Sequence, residues 1–132
     1  MLTSADPAND QGATTVVDVL IVDDQPPFRA VARTVVTLLP GWRVVGEAAS
    51  GEDAVVAAHT GHPAVVLMDI NLPGISGIEA TRQITAVSPA VRVVLLSTYA
   101  YEDLPADALA SGAVAYLRKE DLTPRVLRQL MA

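Results

Sequence analysis

Cysteine is absent from the 132 residues. That excludes disulfide cross-links, thiolate metal centres and a cysteine nucleophile. Positive charge is scarce: nine Lys and Arg stand against fifteen Asp and Glu, a net charge of −6. An acidic chain repels phosphate backbones, so on its own it is a poor nucleic-acid binder. Long apolar runs are missing too, and none reaches the ~18 residues of a membrane span. The opening MLTSADPANDQG has two Asp and no Lys or Arg. It lacks the basic start and apolar middle of a secretory signal. A cysteine-free chain is compatible with a reducing cytoplasm, the localisation expected here.

What is present makes a packed core. Hydrophobic residues reach 51% and charged residues 18%, a globular composition large enough for one domain. Residues 1–14 are small and polar and predict a disordered leader, leaving 15–132 as the domain. Val/Ile/Leu-rich runs follow at Val16–Val22, Arg43–Ala48, Ala64–Met68, Val91–Leu96 and Val114–Leu117. Most are nearly continuous, as in strands buried on both faces. Between them lie stretches of helical spacing: Pro27–Leu39, Glu52–His59, Gly77–Val87, Leu104–Ser111 and Leu122–Met131. In the first, Phe28, Val31, Val35, Leu38 and Leu39 recur at three- and four-residue steps. Pro, Gly and Asp punctuate the joins.

Strict alternation of five strands and five helices predicts an α/β fold. The sheet is parallel and doubly wound, in the flavodoxin-like order 2-1-3-4-5, with the helices on both faces. The last helix meets the chain end about one turn early, as expected of a fragment that stops before a C-terminal output domain.

Functional groups of such a sheet gather at the carboxyl ends of its strands. Here those ends carry Asp23-Asp24, Asp69, Ser97-Thr98 and Arg118-Lys119. In the order above, Asp24 and Asp69 face each other across the switch point. Crowded carboxylates repel by a few kcal/mol at an effective dielectric near ~20. A hard divalent ion offsets this best, because the available ligands are oxygens, and Mg2+ leaves positions for a phosphoryl oxygen. Lys119 supplies a second positive charge and Ser97 a hydroxyl. Carboxylate, divalent cation, lysine and hydroxyl are the parts needed to form an aspartyl phosphate.

The segments LIVDDQPPFR, VVLMDINLPGISGIEA, VVLLST and GAVAYLRKED, in that order, resemble the receiver domain of bacterial response regulators. The stretch from Ser97 and Tyr99 to YLRKED looks most like the NarL/FixJ subfamily. The resemblance covers roughly residues 16–131 and implies roles. Asp69 is the phospho-acceptor. Asp24 ligates Mg2+ directly, Asp23 directly or through water, and the backbone carbonyl of Asn71 adds a ligand. Lys119 and Ser97 contact the phosphoryl group. Ser97 and Tyr116 form the switch, with Tyr116 turning inward as Ser97 moves. The face of helix 4, strand 5 and helix 5 then changes shape. A histidine kinase is the implied donor, homodimerisation on activation is an open option, and DNA is reached only through an output domain not in this chain. Glu120 stands where many receivers have proline, which argues against a cis bond after Lys119.

Blander readings exist for each residue. Asp23-Asp24 serve equally as a helix cap or turn, Ser97 as a strand-end hydroxyl, Lys119 as a solvated lysine and Tyr116 as packing. An apolar run ending in Asp69 makes an unpaired charge costly there. His59 and His62 lie away from the rim and suggest no metal site, and Trp42 packs at an outer strand. Tyr99 and Tyr101, beside Glu102-Asp103, form a partner surface or are ordinary exposed aromatics. Two other function classes compete with the switch. An aspartyl-phosphate phosphatase usually carries Asp-x-Asp on its first strand, whereas Asp23 and Asp24 are adjacent. A phosphorylation-independent interaction module commonly has lost an acid, the lysine or the acceptor, and all are present. The switch is therefore the favoured reading, with no enzyme activity on outside substrates.

Overall fold

The computed structural model describes residues 16–131, the side chain of Tyr101 excepted. The expected leader at 1–14 and the side-chain role considered for Tyr101 lie outside the described residues. Among those residues, strands and helices alternate as β1 (Val17–Val22), α1 (Pro26–Thr37), β2 (Trp42–Ala48), α2 (Gly51–Gly61), β3 (Val65–Asp69), α3 (Gly77–Val87), β4 (Arg92–Ser97), α4 (Ala106–Leu109), β5 (Ala115–Arg118) and α5 (Pro124–Leu130). All pairings are parallel and the order is β2-β1-β3-β4-β5, the expected doubly wound, flavodoxin-like topology.

Alternation of side chains along each strand explains why the apolar runs are continuous. Leu20, Val22, Val66, Met68, Val93 and Leu95 point to one face, where α2 and α3 cover them. Val19, Ile21, Val65, Leu67, Val94 and Leu96 point to the other, under α1 and α5. β3 is buried at all five positions. β2, at the sheet edge, alternates between half-buried and exposed until Ala48, so it departs from the expectation of strands buried on both faces.

Helix starts follow their caps. Ser50, Ser76 and Thr123 accept the backbone N–H of Asp53, Glu79 and Val126, each worth about 1 kcal/mol. α1 opens on Pro26-Pro27, which remove two N–H groups that would otherwise lack partners.

Two expectations need correction. The fourth helix, expected over Leu104–Ser111, is the four-residue α4, preceded by a single 3-10 turn at Tyr101–Asp103. Pro105 stands at its N-cap and Gly112, at φ +101°, follows its end. The apolar stripe read along α1 is also displaced. Val31 and Leu38 are 51% and 64% exposed, whereas Ala32, Val35, Val36 and Leu39 are buried. A helix turns about 100° per residue, and Val31 and Leu38 fall just past the edge of the buried arc. Val87, the last residue of the expected third helical stretch and of α3, is likewise exposed. Trp42 lies half-buried on edge strand β2, as expected.

Candidate functional site

Register and strand length bring one group from each of several elements to a single rim. Val22 pairs with Met68, Asp69 with Leu96 and Ser97 with Arg118. The residues at and just past those ends therefore lie side by side. Behind Asp69, α3 approaches closely: the Gly77 N–H donates to the Ile70 carbonyl, and a Cβ at Gly77 would collide with the Asp69 carbonyl. Glycine is required there by space, and it fixes α3 against the acid-bearing strand end.

Asp23, Asp24 and Asp69 each offer a carboxylate oxygen, and these lie within 4.8 Å of one another. At that spacing, two full charges repel by about 3–4 kcal/mol at an effective dielectric near 20. Asp23 and Asp69 are buried and Asp24 is exposed. Burial, and then the neighbouring Asp23 charge, push the Asp69 carboxyl up to about 6, partly offset by Lys119 and by the Asn71 N–H. The Lys119 ammonium is 2.6 Å from Asp23 Oδ2 and 3.5 Å from Asp69 Oδ2. Its nearer partner is thus Asp23, and it also sits 4.6 Å above the centre of the Phe28 ring.

The cluster fits a hard cation. Its ligand atoms are all oxygens, and buried Asp23 Oδ2 is met by the Lys119 ammonium as an ion pair and by no further hydrogen-bond donor among the described residues. The other atoms of Asp23 are committed: Oδ1 accepts the Gln25 N–H at 2.8 Å, and the backbone carbonyl accepts from Arg29 at 2.6 Å. An open cleft of about 260 Å³ lies over the acids, lined by Asp24, Gln25, Asp69, Asn71, Thr98 and Lys119. It leaves room for a phosphoryl-sized group beside Asp69.

The other expected residues stand as follows. Ser97 is buried, and its Oγ accepts the Tyr99 N–H at 2.9 Å. It does not line the cleft; Thr98 does. Tyr116 is half-buried, and its hydroxyl donates to the Ala108 carbonyl in α4 at 2.8 Å. No cis peptide bond occurs among the described residues. His59 and His62 are exposed near the end of α2, away from the rim. The sequence places Thr98 at a strand end and Phe28 on the apolar face of the first helix but points to no role at the site for either, nor for Arg29. Thr98 had a signal, being the strand-end neighbour of Ser97; the other two act through contacts that spacing does not reveal.

A family model described as the response regulator receiver domain matches residues 19–131. The response regulator UvrY of Escherichia coli is 42% identical over 104 residues, 79% of this chain and 48% of UvrY. The chain thus spans about half the length of the curated relatives it matches. The signal receiver domain of the response regulator NarL from Mycobacterium tuberculosis superposes with a TM-score of 0.79 at 29% identity, covering 89% of this chain and 98% of that one. A CheY from Borrelia burgdorferi, in complex with CheX, BeF3 and magnesium, superposes with a TM-score of 0.73 at 29% identity, covering 89% and 87%.

Proposed function

The chain belongs to the response regulator receiver domain family, on its NarL/FixJ side, and from that premise we propose that Asp69 accepts a phosphoryl group from a histidine kinase. One Asp69 carboxylate oxygen attacks phosphorus, the donor's phosphorus–nitrogen bond breaks, and the imidazole leaves with a proton. With its carboxyl at about 6, Asp69 is mostly ionised at pH 7 and ready to attack. Asp23 and Asp24, with Asp69 and the Asn71 carbonyl, would hold Mg2+, which when bound supplies charge neutralisation for the transferring group. Lys119 brings the second positive charge, within 3.5 Å of the acceptor. Thr98 and Ser97 sit at the rim to receive phosphoryl oxygens, Ser97 on exchanging its present Tyr99 N–H partner.

The observation that carries this reading is the convergence of two further carboxylates and one ammonium around a buried Asp69. The response is a change of state rather than turnover of an outside substrate. A phosphoryl group that draws Ser97 toward it alters the packing beside Tyr116, whose hydroxyl now holds α4 through Ala108. Each new contact is charge-assisted, so a bias of a few kcal/mol between two states is within reach. The output is transcriptional control by a DNA-binding domain outside these residues, with homodimerisation on activation and a cytoplasmic setting. Among the described residues no helix is long and apolar enough to cross a membrane.

Intact-mass measurement with a small phosphodonor tests the proposal. We expect a single phosphoryl adduct on the wild type with Mg2+, little without it, and none on Asp69→Asn. An undiminished adduct on Asp69→Asn, or none on the wild type with Mg2+ present, refutes it. The second outcome would favour a phosphorylation-independent interaction module.

A further inference from the structure

We infer that Arg29 is a positioning residue for the cation site, braced from the sheet edge by Glu47; the inference rests on the Mg2+ reading above. Arg29 lies in the first turn of α1 and joins two elements. Its Nε meets Glu47 Oε1 of β2 at 2.9 Å, and the other end of its guanidinium donates to the Asp23 backbone carbonyl at 2.6 Å. The side chain is 20% exposed. Arg33, one turn on, bonds instead to the second Glu47 oxygen through both Nε and Nη2. Both arginines hold the Glu47 carboxyl below the usual carboxylate range.

The geometry explains how a cation can contribute to a cation site. Asp23 has three polar oxygens, and protein groups settle their directions. The Gln25 N–H fixes Oδ1, Arg29 fixes the carbonyl, and Oδ2 faces the Lys119 ammonium at 2.6 Å. The Gln25 side chain provides no cap for α1; the Asp23 N–H donates to the Ala48 carbonyl and the Phe28 and Arg29 N–H groups to the Gln25 carbonyl, so of the bonds to the 23–25 loop the Arg29 guanidinium's is the one on the Asp23–Asp24 peptide oxygen. Arg29 consequently sets the peptide that joins the two acids, and with it the separation of their carboxylates. Glu47 opposes the positive charge of Arg29 and keeps its planar fork aimed at the loop. Partners of this kind, one step removed from a metal, typically change its affinity 10- to 100-fold.

Two effects of opposite sign compete when Arg29 is removed. Losing a nearby positive charge strengthens cation binding, and losing the brace weakens it. Arg33→Ala removes the same charge from the same carboxylate without touching the loop, and so isolates the first effect. Mg2+ titration by calorimetry on the wild type, Arg29→Ala, Arg33→Ala and Glu47→Ala decides between them. Exchange of the Gln25 amide in metal-free protein is read alongside. We expect Arg29→Ala to raise the Mg2+ Kd about tenfold or more, with faster Gln25 exchange. Glu47→Ala should move both readouts in the same direction by less, and Arg33→Ala should stay within about twofold of wild type. The rate of phosphorylation should recover toward wild type in Arg29→Ala at saturating Mg2+, which a general folding defect would not allow. A wild-type Kd and unchanged Gln25 exchange in Arg29→Ala overturn the inference, as does equal weakening in Arg33→Ala. If Arg29→Ala fails to fold, Glu47→Ala carries the same two outcomes. Absence of Mg2+ binding in the wild type itself would instead overturn the underlying site.

Discussion

The β1–β3 rim and the β4–α4–β5 flank are built in opposite ways. At the rim, β3 is buried throughout, Asp23 is 1% exposed, and its oxygens face the Gln25 N–H, Arg29 and Lys119. Across the sheet, β5 is half-buried or exposed along its length and α4 has four residues, of which Ala108 is buried. Tyr99, Leu109 and Val114 lie about half exposed, and a cleft of about 130 Å³ lined by Tyr99, Leu104 and Tyr116 reaches Leu95. One side fixes charges that repel one another; the other is a short helix held by few contacts and low in local stability. On the function proposed above, a charge change on the rigid side would be expressed as movement on the soft side.

Disturbing the rigid side should cost most. Gly77→Ala places a methyl group against the Asp69 carbonyl, where neither backbone can yield. We expect a loss of about 3 kcal/mol or more in chemical unfolding. A loss below about 1 kcal/mol would show that α3 is free to back away from the strand end.

The next effect has the opposite sign. Asp69 is raised from 3.8 to about 6 in the folded chain, mainly by burial. Between those values the folded state binds the proton more tightly, so stability is greatest below 3.8 and is lost as pH rises through about 6. With solvent screening, the cost of ionised Asp69 in metal-free protein is about 1–3 kcal/mol. Asp69→Asn should therefore be more stable than wild type at pH 8 by about 1–3 kcal/mol, with the gap closing toward pH 4. Added Mg2+ should narrow the gap at pH 8 by binding the wild type. Urea denaturation at several pH values reads all three trends, and a pH-independent gap contradicts the burial argument.

Smallest is the flank. Tyr116→Phe removes one hydroxyl–carbonyl bond to Ala108 and should cost about 1 kcal/mol. Amide exchange should quicken in α4 and stay unchanged in β3. Equal quickening in both would erase the contrast between the two regions.

The rigid side was legible in the sequence and the soft side was not. Asp23, Asp24, Asp69 and Lys119 each close an apolar run, and a buried parallel sheet puts such run ends on one rim whatever the detailed packing. The length of α4 depends instead on tertiary competition. Leu104–Ser111 carries helical spacing, but Pro105 delays the start and a half-exposed flank gives the helix little to bury against. The preference of Lys119 for Asp23, the Arg29–Glu47 brace and the place of Thr98 in the cleft all depend on side-chain directions across elements. Periodicity contains no such information.

Mapping the phosphoryl group to one residue tests the central assignment most directly. Borohydride reduces an acyl phosphate on aspartate to homoserine, which peptide mass spectrometry locates. After phosphorylation with Mg2+ we expect homoserine at position 69 and nowhere else. Homoserine at Asp23 or Asp24, or a stable phosphate ester on Thr98, would contradict it.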